Sequence, residues 1–145
     1  MIELIFVIVI LGVLATIAIP KLAATRDDAK IAAMSQSIST AASEVASYAV
    51  SQGLIETDMS KMSHSIETLI VSAKADQPDM NNTLVNFKMG EVDDCIALRV
   101  DDAALDANLT VSYPGTFGDP LCDRLRDLFD ASQYPIPLRG ARVVH

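Results

Sequence analysis

The chain contains none of the short motifs that mark common catalytic sites. It has no Gly-x-Ser-x-Gly, no glycine-rich phosphate loop, no Cys-x-x-Cys and no His-Glu-x-x-His. Its two histidines, His64 and His145, are far apart in the sequence, and we expect both to be solvated. We therefore expect that the protein is not an enzyme and that it uses no cofactor.

Basic residues are also scarce, with 11 lysines and arginines against 19 acidic residues and a net charge of −8. Because nucleic-acid binding needs basic surface that neutralises phosphates, this balance argues against direct binding to nucleic acid. Several acids flank one predicted strand, and their oxygens would suit calcium, but their spacing matches no recognised calcium loop. We expect a hydrated acidic surface and no metal there. These acids are Glu91, Asp93, Asp94, Asp101 and Asp102.

Charge is absent from a long N-terminal run. Residues 4–19 are apolar except for Gly12 and Thr16. As a helix, residues 2–19 would span about 27 Å, which is enough to cross a bilayer. A cleaved secretory signal is the competing interpretation, but an acid precedes the apolar core where such signals carry basic residues, and no convincing small-residue cleavage site follows it.

A single carboxylate, Glu3, lies at the start of this run. A carboxylate in a bilayer costs on the order of 2.5–3.5 kcal/mol, so its presence indicates a function and a partner. The nearest basic residue, Lys21, would lie about 27 Å away along a helix. The cation that pairs with Glu3 is therefore expected to come from another copy of the chain.

The cysteine count is two, Cys95 and Cys122. Such a pair can form a disulfide in an oxidising compartment, whereas cytosolic cysteines are more commonly free. The apolar N-terminus suggests that the remainder of the chain is exported, which favours a disulfide between these two residues.

Helical periodicity continues past Pro20 to about Gln52. Apolar or small residues recur there at steps of three and four, which is typical of an amphipathic helix, and Gly53 is suited to end it. The recurring positions are Ile31, Met34, Ile38, Ala41, Val45 and Tyr48. The pattern predicts one helix over residues 2–52, about 75 Å long and kinked near Pro20. Its first half must project into lipid or into an assembly, because a chain of this size cannot bury it.

The remaining sequence predicts a small α+β head. We predict a second helix over 58–75, a turn at 76–79, an antiparallel meander of three strands, a short helix over 121–131 and an extended tail. The strands are predicted at 84–89, 95–100 and 109–113. The chain is then divided into a transmembrane or filament-core helix (1–23), its amphipathic continuation on the head (24–53) and the head itself (54–145).

The first thirty residues, MIELIFVIVILGVLATIAIPKLAATRDDAK, resemble the N-terminal signature of type IV pilins and pseudopilins. The match lies in Ile2-Glu3-Leu4 and in the apolar run that ends at Pro20. The resemblance implies a pilin-like fold, in which the helix packs on an antiparallel sheet with a C-terminal disulfide loop. It also implies a removed leader peptide and a methylated aromatic first residue. Since the chain begins at Met1 without these, we expect that the sequence starts inside the mature protein. The alternative is that Met1 is a real terminus, in which case leader removal and methylation would not be expected.

The resemblance also assigns roles to N-terminal residues. It implies that Glu3 meets the N-terminal amine of a neighbouring subunit. It further implies that the stretch from Gly12 to Pro20 loses helical order in the assembled filament. Glycine, proline and the β-branched residues of this stretch all weaken a helix relative to alanine or leucine.

Two Asn-x-Thr sequences begin at Asn81 and Asn108, each with an aspartate two positions earlier, Asp79 and Asp106. This pattern resembles the extended acceptor of bacterial N-glycosylation and makes both asparagines candidate glycosylation sites. The alternative is a chance match in a chain rich in aspartate.

Together these features predict a structural subunit of a pilus-like extracellular filament. The subunit would reside in the bacterial inner membrane and then join a homo-oligomeric helical filament through its N-terminal helix, with a pilus or secretion assembly machinery as partner. Two alternatives stay open. One is a pseudopilin of a type II secretion or DNA-uptake system, which would form a short periplasmic filament. The other is a monomeric membrane-anchored binding domain, in which Glu3 would have no use.

Overall fold

A computed structural model describes residues 2–78, 83–102 and 107–139 of the chain. One long helix packs through its second half on a head made of two short helices and a five-stranded antiparallel sheet. The elements are α1 (Ile2–Gln52), α2 (His64–Val71), β1 (Ala75–Asp76), β2 (Leu84–Met89), β3 (Val92–Asp102), β4 (Ala107–Ser112), α3 (Pro120–Leu128) and β5 (Ile136–Pro137). The predicted α+β layout is confirmed.

Helix α1 has the predicted bounds and runs without interruption past Pro20. Its second half turns one stripe of side chains toward the head, and five of the six predicted positions are buried there: Ile31, Met34, Ile38, Ala41 and Val45. The sixth, Tyr48, is half-buried. The spacing of apolar residues therefore located the packed face of this helix correctly.

The predicted second helix over 58–75 is wrong at both ends. A 3₁₀ turn (Met59–Lys61) comes first, capped by the Asp58 carboxylate, which accepts a hydrogen bond from the Ser60 amide. The chain then becomes extended at Ser63, whose hydroxyl accepts a hydrogen bond from the Ile66 amide and so caps α2. After α2, Ala73 adopts a left-handed conformation (φ 55°), and the chain turns into β1.

The sheet has the order β1-β2-β3-β4-β5, and every neighbouring pair is antiparallel. The predicted meander is confirmed, and β2 has the predicted bounds. Strand β3 begins earlier than predicted because a tight turn at Gly90 (φ 64°) pairs Met89 directly with Val92. The sheet also gains two edge strands of two residues each, of which β1 falls partly where a turn was predicted and β5 lies in the predicted extended tail.

Helix α3 is shorter than the predicted 121–131. It ends because Phe129 leaves helical geometry and Asp130 caps a second 3₁₀ turn (Ala131–Gln133). A disulfide joins Cys95 in β3 to Cys122 in α3, as predicted. The core lies between α1, α2, α3 and one face of the sheet. Its largest fully buried side chains are Ile38, Val45, Met59, Ile66, Val85, Phe87, Cys95, Ile96, Leu98, Leu109, Leu125 and Leu138.

Candidate membrane-insertion and assembly site

The N-terminal part of α1, residues 2–22, is apolar except near its two ends, where Glu3 and Lys21 lie, and its described side chains are exposed on all sides; we call it the apolar segment. Four consecutive side chains, at positions 4–7, are 52–69% exposed. Because consecutive helical residues are about 100° apart, these four point around the whole circumference. By length and composition α1 is able to cross a membrane, and none of its most apolar stretch is buried against the head. A helix that is apolar all round needs lipid or other protein chains to cover it.

Glu3 occupies the first turn of α1 and is exposed. The N-terminal end of a helix carries a partial positive charge, which favours a carboxylate there only modestly. Within residues 2–78, 83–102 and 107–139 no cation forms an ion pair with Glu3. Lys21 lies on the same helix about 27 Å further along. The chain therefore supplies Glu3 with no counter-ion among its described residues.

The other two predicted assembly residues, Gly12 and Pro20, lie within the same continuous helix. A Cβ atom added at Gly12 would meet no other atom of the described residues within 4 Å, so none of them requires glycine at that position. The hydroxyl of Thr16 donates a hydrogen bond to the Val13 carbonyl at 2.7 Å, and its polarity is therefore satisfied inside the helix. Loss of helical order between Gly12 and Pro20 in a filament stays a prediction.

A second glutamate of α1, Glu44, shows how the helix is joined to the head. Its carboxylate accepts hydrogen bonds from Ser63 Oγ at 2.6 Å, from the Ser65 amide at 3.0 Å and from Ser65 Oγ at 3.0 Å. Partial burial acts to raise the pKa of Glu44, but these donors outweigh it and hold the pKa below its ordinary value. The carboxylate thus ties α1 to the N-terminus of α2.

The other side of α1 is joined to α3. Arg124 forms an ion pair with Asp28, just beyond the apolar segment.

Two residues later in α3, Arg126 is buried; its Nε donates to the Cys95 carbonyl at 3.1 Å and its Nη2 to the Gly115 carbonyl at 2.8 Å. The guanidinium also lies 4.7 Å from the ring centre of Phe117. These contacts reinforce the disulfide in holding α3 on the sheet.

The start of α3 is held by Asp119. Its carboxylate accepts hydrogen bonds from the amides of Leu121 and Cys122, both at 2.9 Å, and from the Glu91 amide at 3.1 Å. The Cys122 and Glu91 amides hold the pKa of Asp119 below its ordinary value. The carboxylate therefore caps α3 and links it to the turn between β2 and β3.

The candidate glycosylation sites differ in their surroundings. Asn108 is half-buried within β4, where it pairs with Asp101 on one side and Pro137 on the other. Asn81 lies outside the described residues, as do Asp79 and Asp106. Modification of either asparagine stays a prediction. In the part of the chain that the structure describes, no three His, Cys, Asp or Glu side chains come together in a way that could hold a metal ion.

Two features of the site were not expected from the sequence: the Glu44 junction and the buried Arg126. Glu44 and its serine partners are 19 to 21 positions apart, so no local pattern connects them. The burial of Arg126 could have been predicted from the disulfide. Arg126 follows Cys122 by about one helical turn, so the two residues share a face of α3, and the disulfide turns that face toward the sheet.

Comparisons with protein-family models, with curated proteins and with solved structures find no match to this chain.

Proposed function

We propose that the protein is a structural subunit of a pilus-like filament, held first in the bacterial inner membrane and then packed with other copies through the apolar segment of α1. One observation carries the proposal. The apolar segment is exposed on every side and bears a lone carboxylate, Glu3, that has no counter-ion among the described residues. A pilin-like arrangement, as implied by the N-terminal signature, covers the apolar surface and completes the ion pair in one step.

The physical reasoning concerns the burial of charge. An unpaired carboxylate is strongly disfavoured in a bilayer, and it gains little in a protein interior unless a cation and further donors meet it. The N-terminal amine of a neighbouring copy would supply that cation and would also fix the axial position of one chain against the next. Contacts of this kind use two different surfaces of each copy, and such head-to-tail contacts generate an open helical filament when they do not close into a ring.

The head is suited to the outside of such an assembly. With the second half of α1 it forms a buried core and it has its own disulfide, and no residue of that core lies in the apolar segment. The continuous helix α1 contains the apolar segment and also packs on the head, so that the position of one fixes the position of the other. A monomeric membrane anchor would use the apolar segment equally well, but it would gain nothing from Glu3.

The test compares Glu3→Gln with the control Glu67→Gln, which changes an exposed acid on the head. Membrane-held subunit is quantified by immunoblot, and filaments are counted by electron microscopy of the cell surface and of sheared fractions. We expect Glu3→Gln to reduce filaments by about tenfold or more at an unchanged membrane level, because it removes one partner of a buried ion pair. The Glu67→Gln control should assemble normally.

Normal filaments from Glu3→Gln would contradict the proposal. Filaments confined to the periplasm of otherwise competent cells would instead assign the pseudopilin alternative. A subunit that stays singly dispersed in the membrane under every condition would assign the monomeric anchor.

A further inference from the structure

A groove beside α1 concentrates basic residues in an otherwise acidic protein. Four basic residues are among those that line it, Arg26 and Lys30 from α1 together with Lys74 and Lys88 from the head, and we call it the basic groove. The volume is about 660 Å³. The floor is apolar and includes Met34, Leu69 and Met89, all buried.

The fold brings these four cations together from three separate parts of the chain. Arg26 and Lys30 are one turn apart on α1 and therefore share a face. The left-handed residue Ala73 directs the chain from α2 into β1, and the Lys88 amide then donates a hydrogen bond to the Lys74 carbonyl at 2.8 Å. That bond places the two lysines next to each other near the β1 edge of the sheet, and both line the groove.

The charge of the basic groove is only partly compensated within the chain. Lys30 pairs with Asp27 at 2.9 Å, and Lys88 pairs with Asp93 at 3.1 Å. Neither Arg26 nor Lys74 forms an ion pair with any acid of the described residues. Four of the 11 basic residues thus line one groove in a chain of net charge −8. Charge therefore favours an anionic ligand in this groove over the rest of the surface.

The basic groove also lies at the membrane-proximal end of the head. Arg26 follows Leu22, an exposed leucine near the end of the apolar segment, by four residues, or about 6 Å along the helix. The headgroup layer of a bilayer extends several ångströms beyond its hydrocarbon core of about 30 Å. When the apolar segment spans the core, the Arg26 end of the groove therefore lies at the level of the lipid headgroups.

We propose that the basic groove binds the phosphate of an anionic phospholipid in the leaflet next to the head. Arg26 offers paired N–H donors to phosphate oxygens, and the lysines add point charges around them. Clusters of basic residues next to a membrane segment are known to favour anionic lipid surfaces. Lipid binding would fix the rotation of α1 and the tilt of the head before assembly. The inference rests on the membrane-held stage of the proposed function and not on the filament.

The experiment uses the full chain in nanodiscs of phosphatidylcholine, with or without phosphatidylglycerol. Lysine side chains are acylated for short times, and the rate at each position is measured by mass spectrometry. Lys61 serves as an internal control, because it is far from the membrane end of the head. Its neighbour Met62 lines a different groove together with residues of α1 between positions 40 and 51. We expect acylation of Lys74 and Lys88 to slow about fivefold in phosphatidylglycerol, with Lys61 unchanged and with protection lost at high salt.

A variant pair sharpens the test. The double substitution Arg26→Gln with Lys74→Gln should abolish the lipid-dependent protection of Lys30 and Lys88, whereas Lys61→Gln should leave it intact. Equal acylation in the two kinds of nanodisc would overturn the inference. Equal protection of the lysines by soluble glycerol phosphate in neutral nanodiscs would also overturn it. Protection in neutral nanodiscs that rises with the number of chains per disc would overturn it as well, because it would identify a second copy of the chain as the occupant of the groove.

The failure of this inference is distinguishable from the failure of the proposed function. A chain that inserts into nanodiscs but shows no lipid-dependent protection overturns the lipid site and leaves the filament proposal as it stands. A chain that does not enter nanodiscs overturns the lipid site together with the membrane-held stage of the proposed function.

Discussion

The two halves of α1 belong to one helix but depend on different surroundings. Ile38 in the second half is 0% exposed, whereas Leu11 in the first half is 59% exposed. The second half carries its apolar residues on one stripe and covers that stripe with the head. The first half carries them all round, so that no single partner within the chain could cover it. The arrangement of apolar residues around the helix, rather than their number, therefore decides which half of α1 the chain can cover with its own residues.

The two glutamates of α1 repeat this contrast for charge. Glu44 accepts three hydrogen bonds from Ser63 and Ser65, which stabilise its charged form. Glu3 has no counter-ion in the described part of the molecule. The carboxylate near the head is therefore stabilised within the fold, whereas the described residues leave the carboxylate at the N-terminus without a counter-ion.

The largest expected effect is that of reducing the disulfide, because this acts on the head and not on the apolar segment. Cys95 and Cys122 are 27 positions apart. Closing a loop of that length lowers the entropy of the unfolded chain and stabilises the fold by roughly 3–4 kcal/mol. We expect reduction to lower the melting temperature of the head strongly while membrane retention is unchanged. Near-ultraviolet circular dichroism follows the first, and carbonate extraction of membranes follows the second. Loss of membrane retention on reduction would contradict this separation.

A matched pair of substitutions on α1 tests the comparison directly. Ile38→Ala opens a cavity in the core and should cost about 3 kcal/mol, within the range of about 2–5 kcal/mol for this kind of truncation. Ile10→Ala makes the same chemical change in the apolar segment and should leave the stability of the head unchanged. Urea denaturation of both variants in the same detergent measures the difference. Equal destabilisation would show that the apolar segment contributes to the folding of the head.

The parts of the fold that the sequence predicted are those with long or strongly alternating patterns. The bounds of α1 follow from an apolar run and a regular stripe, and β2 follows from alternation between positions such as Val85 and Phe87. The non-helical residue Ser63, which separates the 3₁₀ turn from α2, was not predicted. Asp58 is suited to cap one helix, and apolar residues continue at helical spacing across Ser63, so the sequence shows no sign of a second helix start there. Strands β1 and β5 are two residues long and are specified by their partners, so no local signal marks them.

The same reasoning explains what could be predicted of the site. Glu3 was identified because a single charge stands out in an apolar run. The basic groove was not, since Arg26, Lys74 and Lys88 are far apart in the sequence and meet only through the α2-to-β1 turn and the packing of α1. Isolated charges are visible in a sequence, whereas clusters formed by tertiary contacts are not.

A smaller effect is expected from Glu44→Gln, which removes the charge at the α1–α2 junction. Because the folded-state pKa is below the ordinary value of 4.5, the charged form of Glu44 stabilises the head above that pH. This contribution is lost as the pH falls from 4.5 through the lower folded-state pKa. At neutral pH the variant should be less stable by about 1 kcal/mol, discounted for partial exposure.

The measurement compares the free energy of unfolding of the two chains from neutral pH down to the acid limb. The gap between wild type and Glu44→Gln should narrow below pH 4.5. The control is Glu91→Gln, which changes an exposed acid whose backbone amide, rather than its side chain, contacts Asp119. A gap that stays constant with pH would show that packing, and not charge, is the contribution of Glu44.

The smallest expected effect is a gain in stability from Ala73→Gly, at the turn that builds the edge of the basic groove. Ala73 lies two residues after the end of α2 in a left-handed conformation (φ 55°), and the Lys74 amide donates to the Leu69 carbonyl at 2.8 Å, as in helix ends where glycine is preferred. A non-glycine residue in this conformation costs about 1–2 kcal/mol. Glycine removes that cost but loses about 0.5–1 kcal/mol of chain entropy on folding, so the net gain should be about 0.5 kcal/mol. Ala24→Gly, in the ordinary right-handed part of α1, is the matched control and should not stabilise the protein. If only Ala73→Gly raises the urea midpoint, the surrounding contacts hold this turn, and with it Lys74 beside Lys88, against the backbone preference of alanine. If Ala73→Gly lowers the midpoint, the alanine methyl contributes packing in the groove that outweighs the backbone cost.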